Sequence, residues 1–229
     1  MIPKLLHQTC FQQTWEERKL AQKARHLMPD WRYKMHSDDD NMNLLRNVLP
    51  EYEQQYVRLP HGVIRADIAR CLYLYKYGGV YFDTDYKFFK PFPPDLLDER
   101  CVLGVEEEVN SALGGAKLGN ALMCSEMGFP MWLEFVKSIF TKFAAGESNI
   151  VFMSGPHALT LFLEENNHYS GQIRITPSSV FYPAFDKFKV SAPRSDHTVG
   201  VHLCWGSWRN KSLIQKVRNR SRRIISAVL

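Results

Sequence analysis

The sequence predicts an α/β layered fold, and three observations carry that prediction. Short apolar strands alternate with amphipathic helical stretches, a double glycine stops the longest helical stretch, and the apolar triplet that follows runs directly into two aspartates. Open α/β sheets bind ligands at the carboxyl ends of their strands, so the chain just after Val80-Tyr81-Phe82 is where a site is expected.

The elements follow in order. Residues 2–7 read as a first strand. Thr14 stands three positions before Glu17, the spacing of a capping box, and Leu20, Ala24 and Leu27 form a helical stripe that Pro29 ends. Trp31, Tyr33 and Met35 alternate with polar neighbours as in a second strand. Ser37 caps a helix through Leu44, Leu45 and Val48 to Pro50. A longer helix spans residues 63–77 and stops at Gly78-Gly79, where a left-handed cap costs least. Val80-Tyr81-Phe82 is a buried strand, followed by Asp83-Thr84-Asp85, then Phe88-Phe89, then the loop Pro91-Phe92-Pro93-Pro94. Further strands are expected at 101–105 and 199–203, and further helices at 131–143 and 156–164.

Composition sets the class. A chain of 229 residues, 45% hydrophobic and 23% charged, can bury a core as an ordinary globular protein. No window approaches the roughly 18 apolar residues of a membrane span, and residues 1–6 carry no signal-like stretch. Five scattered cysteines without a Cys-x-x-Cys pair read as reduced thiols of a cytoplasmic protein, neither a disulfide framework nor a zinc site.

The net charge of +5 is unevenly spread. Seven of the 29 Lys and Arg lie in residues 209–229, which hold no acid, so the rest of the chain is slightly acidic. Residues 1–208 are therefore expected as one catalytic domain and 209–229 as a basic amphipathic C-terminal helix, with Leu213, Ile214, Val217, Ile224, Ile225 and Val228 near helical spacing. Such a helix can lie on an anionic membrane, at about 1 kcal/mol per basic residue that reaches the surface. Packing of the same helix on the body is the alternative. A place on the inner face of a membrane is the expectation preferred. Nucleic acid is not expected, since no aromatic residue interleaves the charges after Trp208.

The chemistry concentrates in Arg65-Ala66-Asp67-Ile68-Ala69-Arg70 and Asp83-Thr84-Asp85. Asp67 and Arg70 are three apart on a helix and share a face; a surface ion pair is the plain alternative. Asp83 and Asp85, two apart in extended chain, project the same way, and two hard oxygen ligands suit Mn2+ or Mg2+ bound with substrate phosphates. The tripeptide alone carries little, because Asp38-Asp39-Asp40 supplies another Asp-x-Asp that is best read as acids in a first helical turn. Glu106-Glu107-Glu108 reads as a solvated edge.

The assembled pattern resembles glycosyltransferase family 32, the group with a DXD sugar-binding region, and more distantly the glucosylating toxins. The resemblance rests on Ile2-Pro3-Lys4-Leu5-Leu6-His7-Gln8-Thr9, on Arg65 through Asp85, on Asn120-Ala121-Leu122-Met123, on Ser154-Gly155-Pro156, and on His202 with Trp205, Ser207 and Trp208. It implies a GT-A-type, Rossmann-like nucleotide-sugar fold with a central mixed sheet flanked by helices. It also implies hexose transfer from a UDP- or GDP-sugar to a saccharide or lipid-linked acceptor, with retention of configuration, in polysaccharide or glycolipid synthesis. Residue by residue, Asp67, Arg70, Asp83 and Asp85 would be catalytic. His7, Gln8, Thr9, Asn120, Ser154 and Gly155 would join Asp67, Arg70 and Asp83 on the donor. Asp83, Asp85, His202 and Ser207 would hold the metal. Read without the family, His7 and His202 are by default core histidines, and Ser154 by default a helix cap. The chain departs from the family at Cys10, where a base-stacking Trp is usual, with Phe11 next.

Three rivals remain open at this stage. A dehalogenase-type phosphatase would need a downstream acidic pair, and the chain offers only Asp186 and Asp196 after Asp98; a metal-dependent nuclease would need a basic body. The third is a non-catalytic sugar-binding protein.

Overall fold

The computed structural model describes residues 1–184, 195–206, 223–225 and 227. The order opens with β1 (Leu5–Thr9), α1 (Trp15–Leu27), β2 (Arg32–His36), α2 (Asp38–Val48), α3 (Glu53–Arg58), α4 (Gly62–Tyr77), β3 (Gly79–Phe82) and β4 (Tyr86–Phe88). It continues with β5 (Cys101–Asn110), β6 (Gly115–Leu118), β7 (Leu122–Ser125), α5 (Met131–Ala144), α6 (Ile150–Met153), α7 (Pro156–Glu165), β8 (Ile173–Thr176), α8 (Ser178–Phe181) and β9 (Gly200–His202). The main sheet runs β2-β1-β3-β7-β5-β6, with β8 also paired to β5; β4 and β9 form a separate antiparallel pair. β1, β2 and β3 are parallel, and β7 enters antiparallel to β3. The sheet is thus mixed and flanked by helices, as expected.

Alternation along the strands divides the core. Tyr81, Cys101, Leu103 and Met123 face a cluster built on α2, α4, α5 and α7. Leu6, Val80, Phe82, Val102, Leu122 and Cys124 face Ala24, Met28, Phe88 and Phe181. Neighbouring strand residues point to opposite faces, so each strand feeds both layers.

Local signals fixed the first two helices as expected. Thr14 and Glu17 form a reciprocal capping box on α1, and Ser37 and Asp40 form another on α2. The first strand begins later than expected and runs to Thr9. Gly78 ends α4, but not with the left-handed cap expected: its φ of 64° and ψ of −166° lie in a region essentially reserved for glycine. A Cβ there would meet the Met127 amide nitrogen at 2.7 Å, and one on Gly79 would meet the Leu5 carbonyl at 2.4 Å. The two glycines let the chain leave a buried helix and enter the middle of the sheet at once.

No helix among the described residues is long and apolar enough to cross a membrane. Of the basic tail, residues 223–225 and 227 are described; Ala227 packs by Leu20, Val201 and Leu203, and the Arg223 guanidinium lies 5.2 Å from the Trp205 ring centre. Residues 209–222, which carry most of the expected membrane helix, lie outside the described residues.

Candidate active site

Asp83 and Asp85 leave the end of β3 at the edge where parallel strands finish. They are not in extended chain. The amide of Tyr86 bonds the Asp83 carbonyl, so a turn, and not a strand repeat, brings the two carboxylates together. Thr84 at the tip donates to Glu17 Oε1 at 2.8 Å, while Glu17 Oε2 receives the Thr14 amide. One carboxylate therefore caps α1 and pins the turn.

His202 arrives from far along the chain because β9 pairs with β4, setting His202 opposite Tyr86. Its Nε2 lies 3.3 Å from Asp85 Oδ1 and 3.9 Å from Asp83 Oδ2. The three side chains offer ligand atoms that all lie within 4.8 Å of one another. The Trp205 amide donates to the other Asp85 oxygen at 2.7 Å. Ser207, the further ligand expected, lies outside the described residues.

Beside this cluster stands a second, more closed one. Asp67 and Arg70 are not a surface pair: both belong to α4, a helix buried almost all round, and are 3% and 5% exposed. Asp67 receives the Ser154 hydroxyl at 2.7 Å, the Asn120 side-chain amide at 3.2 Å and the Arg70 guanidinium at 3.2 Å. Arg70 also reaches Asp83 at 3.1 Å, donates to the Asn120 carbonyl at 2.7 Å, and lies over the Tyr81 ring. Tyr81 in turn donates its hydroxyl to Asp83 at 2.8 Å. Asn120 and Ser154 thus meet Asp67, as their assignment to one site requires. Ser154 is not the helix cap: Gly155 is the N-cap of α7, with no side-chain cap bond.

The opening strand supports the site from behind. His7, Gln8 and Thr9, expected at the donor, are all buried. His7 has both ring nitrogens engaged, by His36 and the Gly78 carbonyl, and stacks on Tyr73. Burial lowers its pKa to about 4, so it is a neutral core histidine. Thr9 donates within the interior to the His36 carbonyl, and Gln8 holds the Asp83 carbonyl while receiving the Tyr33 hydroxyl. Cys10 is half-buried and Phe11 is 89% exposed at the mouth of this edge.

Glu106 is the residue that sequence reasoning misplaced. Glu107 and Glu108 are exposed, but Glu106 sits 3.6 Å from His202 Nδ1 and 3.1 Å from Lys117. No local pattern marks it, because its place follows from β5 reaching past β7 to pair with β6.

The electrostatics separate the carboxylates. Burial pushes Asp67 up to about 6, against Arg70 and Ser154. Burial also raises Asp83, and the like charge of Asp85 adds to it while Arg70 and His202 oppose. Burial would raise Asp85 too, but His202 and the Trp205 amide outweigh it and hold the carboxyl below its usual range. Asp85, Cys204 and Glu106 together overcome the burial of His202 and hold its pKa well above normal. Two facing carboxylates with an imidazole, one carboxylate raised by burial and further by the other, fit a divalent cation: two hard oxygens and one nitrogen converge at one point.

Residues 14–103 match the family described as glycosyltransferase sugar-binding region containing DXD motif. The match covers less than half of the chain and includes the turn after β3. Among curated relatives, inositol phosphoceramide mannosyltransferase 3 of Schizosaccharomyces pombe is 33% identical over 91 residues, 37% of this chain and 24% of the relative. Mannosyl phosphorylinositol ceramide synthase SUR1 of Saccharomyces cerevisiae is 32% identical over 118 residues, 48% of this chain and 30% of the relative. The chain thus spans about a quarter to a third of the length of these relatives. In fold it is similar to the PaToxG glycosyltransferase, at a TM-score of 0.56 and 18% identity over 73% of this chain and 71% of that one. The ligand-free glycosyltransferase domain of the YGT toxin gives 0.57 and 8% over 76% and 80%. The fold is the GT-A glycosyltransferase fold. The matched stretch contains Asp67, Arg70, Asp83 and Asp85, while Asn120, Ser154 and His202 join through the fold alone.

Proposed function

We propose that the chain is a metal-dependent glycosyltransferase that moves a hexose from a nucleoside-diphosphate sugar to a saccharide or lipid-linked acceptor, with retention of configuration. The observation that carries this reading is the meeting of Asp83, Asp85 and His202 beside the closed Asp67–Arg70–Asn120–Ser154 cluster. A cation site and a rigid hydroxyl-binding site, side by side at the end of β3, suit the two ends of a sugar diphosphate.

Asp83, Asp85 and His202 would hold Mn2+ or Mg2+, and Ser207 is a further candidate ligand. When bound there, the cation supplies Lewis-acid neutralisation of charge on the diphosphate leaving group. The chain's own residues do the rest. Asp67, fixed by Ser154, Asn120 and Arg70, accepts hydrogen bonds from hexose hydroxyls and orients the ring. Arg70 acts through Asp67 and Asp83, since its terminal nitrogens already meet those carboxylates and the Asn120 carbonyl. Donor positive charge at the anomeric carbon develops facing this anionic group, which favours an oxocarbenium-like transition state.

The names of the relatives favour mannose as the sugar and an inositol-phosphoceramide type of acceptor over polysaccharide. An acceptor of that kind would bring the protein to a membrane surface, in keeping with the basic residues 209–229. A dehalogenase-type phosphatase has less support: of the downstream acids it needs, Asp196 lies in an exposed turn and Asp186 outside the described residues.

Hydrolysis of a panel of UDP- and GDP-hexoses, with Mn2+ and with chelator, tests the reading. Turnover of one donor that chelator abolishes is expected. Phosphatase or nuclease activity in the same preparation, with no donor turned over in the presence of acceptor lipids, would overturn it.

A further inference from the structure

His202 has two faces, and only one of them points at the aspartates. Its Nδ1 faces away from them, toward Glu106 Oε1 at 3.6 Å and Cys204 Sγ at 3.5 Å. These three residues offer ligand atoms that all lie within 4.8 Å of one another. Scattered cysteines gave no sign of this, because the third ligand, Glu106, comes from a different strand.

Cys204 is held there at a conformational cost. Its φ of 51° makes it the one non-glycine residue with positive φ among the described residues. That conformation is unfavourable for an L side chain and marks a residue whose direction is imposed by its surroundings. Cys204 is exposed, whereas Cys71, Cys101 and Cys124 are buried and Cys10 is half-buried. Glu106 is oriented as well: Lys117 takes its other oxygen at 3.1 Å, leaving Oε1 toward the imidazole.

We propose that Glu106, His202 Nδ1 and Cys204 form a zinc site, and that zinc bound there takes His202 away from the Asp83–Asp85 site. One carboxylate, one imidazole and one thiolate are the ligand types zinc prefers, with water in the fourth position. The thiolate selects zinc over the hard Mn2+ and Mg2+ ions that the aspartates suit. The charges close: Zn2+ with one thiolate, one carboxylate and a neutral imidazole is neutral. On binding, Cys204 releases its thiol proton and an imidazolium releases the proton on Nδ1. The remaining proton sits on Nε2 and is donated to Asp85. A neutral imidazole has a single lone pair, so the ring serves one metal at a time. The zinc site itself stands on these contacts alone; its effect on turnover rests on the proposed transferase reading.

The test uses the whole protein with Zn2+ and Co2+ as probes. Zn2+ should slow alkylation of Cys204 by iodoacetamide at least about tenfold, followed by mass spectrometry, and Co2+ should give a thiolate-to-metal charge-transfer band. Cys204→Ser should abolish the band and weaken Zn2+ binding at least about tenfold, the scale on which even supporting contacts around a metal matter. Asp85→Asn should keep both the band and the protection. Zn2+ should inhibit Mn2+-supported donor turnover in the wild type and at least about tenfold less strongly in Cys204→Ser. Unchanged alkylation at saturating Zn2+, or loss of protection in Asp85→Asn, would overturn the site. Inhibition equally strong in Cys204→Ser would overturn the withdrawal of His202. If no donor turns over at all, the transferase reading fails, while alkylation and the cobalt band still decide the zinc site.

Discussion

The chain carries Asp-x-Asp twice, at Asp38–Asp40 and at Asp83–Asp85, and the two regions use the same tripeptide for opposite ends. Asp40 lies at the start of α2, where it receives the Ser37 amide and hydroxyl and pairs with Lys34 near the surface. Its neighbours stabilise its charge, and the Ser37 amide holds its carboxyl below the usual range. Asp83 is enclosed, faces a second carboxylate, and is pushed up by burial. The first pair satisfies a helix terminus and is complete as it stands. The second is assembled from β3, β9 and α4 and leaves negative charge facing one point. Enclosure by distant segments, and not the tripeptide, makes a carboxylate pair a candidate site.

Substitutions can break or sharpen this contrast, and the largest effect belongs to Asp85. Asp85→Ala removes a proposed cation ligand and the partner of both His202 and the Trp205 amide, so kcat/KM should fall by more than about 150-fold, beyond the loss of one charged hydrogen bond. Excess Mn2+ should restore part of it; activity that ignores the metal would place the cation elsewhere. Asp67→Ala comes next, with kcat/KM lower by roughly 10- to 150-fold if one charged contact of about 1.5–3 kcal/mol is lost in the transition state.

Asp67 should also show in the pH dependence of stability. Its folded pKa, about 6, exceeds the ordinary carboxylate value near 3.8, so the folded state holds this proton more tightly than the unfolded chain. Its contribution is fully present below about pH 4 and is lost as pH rises through about 6. Urea midpoints of Asp67→Asn should fall less across that window than those of the wild type. The smallest effect is Asp40→Ala: about 1 kcal/mol of stability from the lost capping box, a Tm lower by roughly 2–4 °C, and unchanged kcat/KM. A loss of turnover in Asp40→Ala would erase the contrast between the two pairs.

What could be read from the sequence was local. Thr14 with Glu17, Ser37 as a helix cap, and the stop at Gly78-Gly79 act over a few residues, and each appears where expected, while the reciprocal bond from Asp40 to Ser37 came with the structure. The convergence of Asp83 and Asp85 was legible, though it comes from a turn and not from the strand repeat. The edge strands β6 and β8 were not legible, since each is four residues long and even the Ile173–Ile175 alternation of β8 is too short to stand out. Glu106 was hidden for the same reason that it matters: its neighbours His202 and Lys117 come from other strands. His7 shows the reverse case, a residue placed at the donor by resemblance that the fold turns toward His36 and Tyr73.

The pairing of β4 with β9 also sets an order of assembly. Asp83 and Asp85 leave the ribosome long before His202, and at ordinary synthesis rates the interval is on the order of ten seconds. During that time β4 has an open edge and the two carboxylates face each other without their imidazole. A growing chain therefore exposes an unpaired strand beside an anionic turn that Arg70 offsets but His202 does not until β9 is made, so slow synthesis of the stretch between them should favour chaperone capture at β4.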